Sequence, residues 1–119
     1  MKKLLLLILL LSVGFSQVSL VWYNNGNNIT IAYTSYAPIY GFQMNVAGSN
    51  IVSATSSGSV GFAGSTLLGF YFNPLLPNRG ILCEITVEDF DELCMEDVII
   101  CGYQGSQLTV YRLSGCLDG

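Results

Sequence analysis

Apolar and polar positions alternate along much of this chain. In "IYGFQMNV" (39–46), Tyr40, Phe42, Met44 and Val46 share one parity, while Gly41, Gln43 and Asn45 take the other. A period of two marks a half-buried strand, apolar side inward and amides outward. "VSLVWY" (18–23) is followed by "NNGNN", whose Asn-Gly pair predicts a tight hairpin turn. "NITIAY" (28–33) then sets Ile29, Ile31 and Tyr33 on one face. Further strands are expected at 51–55, 67–72, 97–103 and 107–113. In "GILCEITV" (80–87), Ile81, Cys83, Ile85 and Val87 oppose Glu84 and Thr86. The Gly/Ser-rich patch 56–66 reads as a loop or weak strand, and "EDFDELCMED" (88–97) as a segment able to hold one helical turn.

No segment keeps helical periodicity for several turns. About eight short strands separated by turn residues, without βαβ spacing, predict an all-β fold: an antiparallel, jelly-roll-like β-sandwich. Strand parity also sorts the aromatic residues. Trp22, Tyr33, Tyr40, Phe42, Phe70 and Phe72 are expected inside, and Tyr23 and Tyr71 outside.

The first residues have a different pattern. "MKKLLLLILLLSVGFSQ" opens with Lys2 and Lys3, continues as an apolar run, and ends with Gly14 and Ser16 two apart. This is the layout of a secretory signal peptide, expected as a helix over 1–16 with cleavage after Ser16. The run is too short to span a bilayer, which takes roughly 20 residues. The mature domain is then 17–119, placed outside the cell or on its surface, with no membrane attachment after cleavage. Loss of the two lysines moves the formal charge from −4 to −6, leaving Arg79 and Arg112 against eight acids. Two cations do not make a nucleic-acid or anionic-membrane surface, because phosphate neutralisation needs clustered Lys and Arg.

Export makes disulfides the expected state of Cys83, Cys94, Cys101 and Cys116. Of the three pairings, Cys83 with Cys101 and Cys94 with Cys116 is preferred. The first two lie in apolar strand-like runs and the last two near turns. No Cys-x-x-Cys spacing suggests zinc or redox chemistry.

There is no histidine in the chain, which removes Ser-His-Asp and Cys-His catalysis. Seven of the eight mature acids fall within 84–97. A dense acidic loop offers neither the apolar pocket nor the fixed carboxyl separation that glycoside hydrolysis needs. Asp89, Asp91 and Glu92 are the candidate calcium ligands, being hard oxygen donors close together, although the spacing is not that of an EF-hand. The competing reading is a solvated acidic loop. "NIT" (28–30) fits the glycosylation sequon, a short and common motif.

The residues also resemble a family. Ile39, Gly41, Phe42, Gln43, Met44, Val46, then Ile51, then Gly80, Ile81, Leu82 and Ile85 are similar to the strand motifs of cohesin-like extracellular domains, over about residues 24–113. The resemblance implies a β-sandwich related to some carbohydrate-binding modules, and a non-catalytic role. It implies a dockerin-type protein partner and assembly of secreted or surface proteins, with polysaccharide breakdown as the usual setting. The chain is shorter than a typical cohesin and richer in cysteine. The outward residues expected to form a binding face are Gln43, Asn45, Tyr71 and Tyr23. Two further classes remain open: a carbohydrate-binding module using Tyr23 and Tyr71 as a stacking platform, and a structural appendage subunit joined through strand edges.

Overall fold

The computed structural model of the protein describes residues 17–112 and 115–119. The leader expected over 1–16 lies outside the described residues. The described strands are β1 (Val18–Asn25), β2 (Asn28–Ser35), β3 (Ile39–Ala47), β4 (Ile51–Thr55), β5 (Ser59–Ala63), β6 (Thr66–Leu75), β7 (Asn78–Val87), β8 (Glu92–Cys101), β9 (Gln107–Leu108), β10 (Val110–Arg112) and β11 (Cys116–Asp118). A 3₁₀ turn, Tyr103–Gly105, precedes β9.

The strands form two facing sheets, ordered β10-β1-β2-β7-β4 and β11-β8-β3-β6-β5, with β9 paired to β8. All the pairings are antiparallel except that of β1 with β10. The expected β-sandwich is therefore the fold. Its core is the layer between the sheets. One side supplies Leu20, Trp22, Ile29, Ile31, Ile85 and Val87, and the other supplies Ile39, Phe42, Met44, Val46, Leu67, Leu93 and Ile100. The Asn-Gly turn falls where expected, between β1 and β2, with Gly26 at φ 65°, a left-handed conformation that glycine adopts without steric cost.

Several expectations change. The 56–66 patch contains an edge strand, β5. The segment expected to hold a helical turn is instead the start of β8: Leu93 and Met95 alternate inward, and this period of two prevails over the local charge run. In β6 the parity is reversed. Leu67, Gly69 and Tyr71 face the core, while Phe70 is 58% and Phe72 92% exposed. The cause lies opposite, in β3. Gly69 pairs with Phe42, and a Cβ on Gly69 would lie 2.2 Å from Phe42 Cε1, so the ring occupies the room the glycine leaves.

Irregular pairing moves two further residues. The register of β2 against β7 slips so that Ile31 pairs with Cys83 and Ala32 with Ile81. Leu82 and Cys83 are then both buried while Ile81 turns out to solvent, as an extra residue in one strand requires. A similar irregularity between Ile39 and Gly41 puts Ile39 in the core in place of Tyr40.

The cysteine expectation is half met. Cys94 and Cys116 are bonded, joining β8 to β11, across a sequence separation of 22. Cys83 and Cys101 are free thiols, because Cys83 points into the core from one sheet while Cys101 lies on the outer side of the other.

Candidate functional site

The sandwich presents two outer faces of different chemistry. The outer face of the β8-β3-β6-β5 sheet is built around β3. Outward-facing Gly41 pairs with Phe70 on one side and Cys101 on the other, and Gln43 pairs with Leu68 and Ile99. Gly41 contributes no side chain to this row, so a hollow of about 410 Å³ opens over it, walled by Phe70, Leu68, Ile99 and Cys101 and bounded by Tyr40. Tyr40 stands beside Tyr103, their ring centroids 6.0 Å apart. Leu68 and Ile99 are both 39% exposed. With Phe70 they wall the hollow, and Phe72 stands exposed two residues further along β6, an apolar surface of the kind that marks interaction sites on otherwise polar exteriors. No charged residue occurs in β3, β5 or β6. Acids begin only at the end of the face, where Asn45 pairs with Glu96.

The expected binding residues divide between the faces. Gln43 and Asn45 do lie on this one. Gln43 is exposed, while Asn45 is half-buried and its Oδ1 accepts a 2.7 Å hydrogen bond from Ser65 Oγ. Tyr23 is exposed on the opposite sheet. Tyr71 is not a surface residue. It is 4% exposed, its hydroxyl donates to the Leu82 carbonyl at 2.6 Å, and its ring lies 6.1 Å from that of Phe42. Burial, reinforced by Cys83 and Tyr33, drives the Tyr71 phenol well above its ordinary value. A stacking platform shared by Tyr23 and Tyr71 is therefore not formed. The residues that reasoning from parity missed are Phe70 and Phe72, and the available signal was Gly69, which fixes the inward parity of β6.

The acidic residues act as a clasp at one end of the sandwich. Asn27 Nδ2 donates to Asp89 Oδ1 at 2.9 Å and to the Val87 carbonyl at 3.0 Å. Ser49 Oγ donates to the Glu88 carbonyl at 2.8 Å, and Asn50 Nδ2 to Glu88 Oε2 at 3.3 Å. The acids thus tie the β1–β2 and β3–β4 turns to the β7–β8 connection. Asp89, Asp91 and Glu92 are not brought together as a ligand set. Among the described residues, the grouped donor atoms within 4.8 Å of one another are those of Glu92, Cys94 and Cys116, and both sulfurs are committed to the disulfide.

The outer face of the β10-β1-β2-β7-β4 sheet is hydroxyl- and amide-rich. It carries a hollow of about 330 Å³ lined by Asn28, Thr30, Ser53, Thr55, Glu84 and Thr86.

No family model matches the sequence, and no curated protein matches it. Solved structures do. A non-cellulosomal cohesin from the hyperthermophilic archaeon Archaeoglobus fulgidus superposes with a TM-score of 0.60 at 8% identity, covering 87% of this chain and 91% of that one. The third ScaB cohesin of R. flavefaciens, in complex with a group 1 dockerin, gives 0.61 at 9% identity, covering 87% and 94%. A chain of a CaDoc0917–CaCohA2 complex gives 0.59 at 12%, covering 85% and 98%. The fold is therefore cohesin-like.

Proposed function

We propose that the protein is a secreted, non-catalytic binding module that docks a dockerin-type protein partner on the outer face of its β8-β3-β6-β5 sheet. The observation that carries this is the uncharged stripe of Leu68, Phe70, Phe72 and Ile99 around the Gly41 hollow. Phe72, 92% exposed, pays a large hydration cost that a partner would relieve. Bulky aromatics at the centre of such patches hold most of the binding energy in protein interfaces. The cohesin-like fold supports the reading, and one of the solved neighbours gives the pattern, being a cohesin in complex with a dockerin. The leader-like N-terminus supports export, and a Cys94–Cys116 bond suits an oxidising compartment. Assembly of secreted or surface-bound enzymes, polysaccharide-degrading ones among them, is the setting this role fits.

The test is capture from the secreted proteins of the native source on immobilised mature domain, in parallel with a Phe70→Asp/Phe72→Asp variant. Both residues are exposed, so the variant keeps the fold. Wild type is expected to retain a dockerin-bearing protein, and the variant to lose more than about 30-fold in affinity for it. Equal retention by both proteins, or none by either, defeats the proposal.

A further inference from the structure

The opposite face of the sandwich has an order of its own. On β1, β2, β7 and β4, residues of outward parity line up in rows across the strands. Val21 pairs with Ala32, and Ala32 with Ile81. The next row runs Tyr23, Thr30, Glu84, Thr55, and the one after it Asn25, Asn28, Thr86, Ser53. An apolar row thus borders two rows in which every side chain can form a hydrogen bond. Tyr23, 53% exposed, stands at the end of the first hydrogen-bonding row as a flat ring with a polar tip.

These rows are not a flat solvent face. The 330 Å³ hollow over Asn28, Thr30, Ser53, Thr55, Glu84 and Thr86 adjoins a second of about 230 Å³ lined by Thr55, Ser56, Ser57, Ile81 and Glu84. Glu84 and Thr55 belong to both, so Glu84 stands between two adjoining hollows. The hollows lie over β2, β7 and β4, three strands at about 4.8 Å spacing, and so form a trough roughly 10 Å across, with Tyr23 on β1 one strand beyond. Within it, Thr86 Oγ1 donates to Asn28 Oδ1 at 2.9 Å. That bond orients the Asn28 amide, and its two N–H groups are still available as donors.

We infer that this trough is a binding site for a neutral oligosaccharide. The chemistry selects the ligand. A sugar ring pairs a face of C–H groups with a rim of hydroxyls that both donate and accept. The trough pairs Ile81, whose apolar row continues beside it through Ala32 and Val21, with a rim of hydroxyls, amides and one carboxylate, the mixture of apolar surface and few convergent polar groups typical of small-ligand sites. Glu84 accepts from hydroxyls of the two rings on either side of it, a charge-assisted bond of the stronger kind. The same carboxylate repels acidic sugars. Arg79 is the cation on this face, and it lies beyond the apolar row, opposite Thr34. The site is on the sheet remote from the proposed protein-docking face, so the two readings stand or fall separately.

The experiment is an amide-resolved NMR titration of the disulfide-intact mature domain, made without glycosylation at Asn28. The probes are cellohexaose, xylohexaose, mannohexaose and chitohexaose, with hexagalacturonate as the anionic arm, each to millimolar concentration. At least one neutral hexasaccharide is expected to shift amides of β1, β2, β4 and β7, leaving β3, β6 and β8 unmoved. Glu84→Gln is expected to weaken that binding about tenfold, and Thr86→Val with Tyr23→Ala to abolish it while the spectrum stays folded. No shift with any neutral probe overturns the inference. So do shifts confined to the other sheet, preference for the galacturonate, or unchanged affinity in Glu84→Gln.

Discussion

A buried thiol at Cys83 makes the stability of this domain depend on pH in a calculable way. Burial, with a smaller push from Glu84, raises the Cys83 thiol from an ordinary 9.0 to about 12. The thiol is neutral when protonated, so the folded state resists an ionisation that the unfolded chain undergoes freely. The resulting stability is complete below the unfolded value and is lost as pH rises towards the folded one. The loss approaches about 1.4 kcal/mol per pH unit between the two values, or about 2 to 3 kcal/mol between pH 8 and 11. The assay is urea unfolding at pH 8 and pH 11, comparing Cys101→Ser with Cys101→Ser/Cys83→Val. Removing Cys101, a half-buried thiol, prevents disulfide exchange with it. Tyr33, whose phenol is also raised by burial, is common to both proteins, whereas Tyr71 is pushed up by burial and by Cys83 as well, so the difference between the variants reads Cys83 together with its effect on Tyr71. The single variant is expected to lose about 2 to 3 kcal/mol more than the double one over this range. Equal losses refute the reasoning. So does the absence of free thiols in denatured, unreduced wild type, since that would mean Cys83 and Cys101 are bonded after all.

Replacing Cys94 and Cys116 together by serine is expected to cost about 3 kcal/mol in urea unfolding, the chain-entropy value for a loop of this size; a loss below about 1 kcal/mol would mean that β11 adds nothing to the cooperative unit. Tyr71→Phe keeps the ring but leaves the Leu82 carbonyl without its hydroxyl donor, a loss of about 1–3 kcal/mol. An unchanged unfolding midpoint for Tyr71→Phe would show that the hydroxyl is not buried.

The layered fold was legible because β2 and β3 alternate cleanly: Ile29, Ile31 and Tyr33, and then Phe42, Met44 and Val46, each commit one face to the core. What escaped has a common physical origin, the places where parity is degenerate or broken. In β6, Leu67, Leu68, Phe70, Tyr71 and Phe72 supply apolar groups to both faces, so a period of two cannot choose between them. The choice is made across the sheet, by the fit of the Phe42 ring over Gly69. In β7 the extra residue at Leu82 shifts Ile81 outward, and nothing local in "GILCEITV" announces it. The cysteine pairing failed for the same reason. Cys83 and Cys101 both sit in apolar runs, but only Cys83 faces inward. The candidate docking face was therefore half legible. Gln43 and Asn45 followed from β3, whereas the aromatic pair that dominates the face depended on β6.

Charge distribution explains how one small domain can expose so much apolar surface. From Gln17 to Asn78 the chain carries no charged residue at all, and this span supplies β1 through β6. The acids are confined to β7, β8, the connection between them and the end of β11, where Glu88 and Asp89 also bind neighbouring turns together. At physiological ionic strength their field decays over about 8 Å. The stripe itself imposes no ionic desolvation cost on whatever covers it. A partner bearing cations at the Glu96 end would gain attraction there. The segregation of charge along the sequence thus becomes, through the strand order, an uncharged β3-β6-β5 surface with acids at its β8 end.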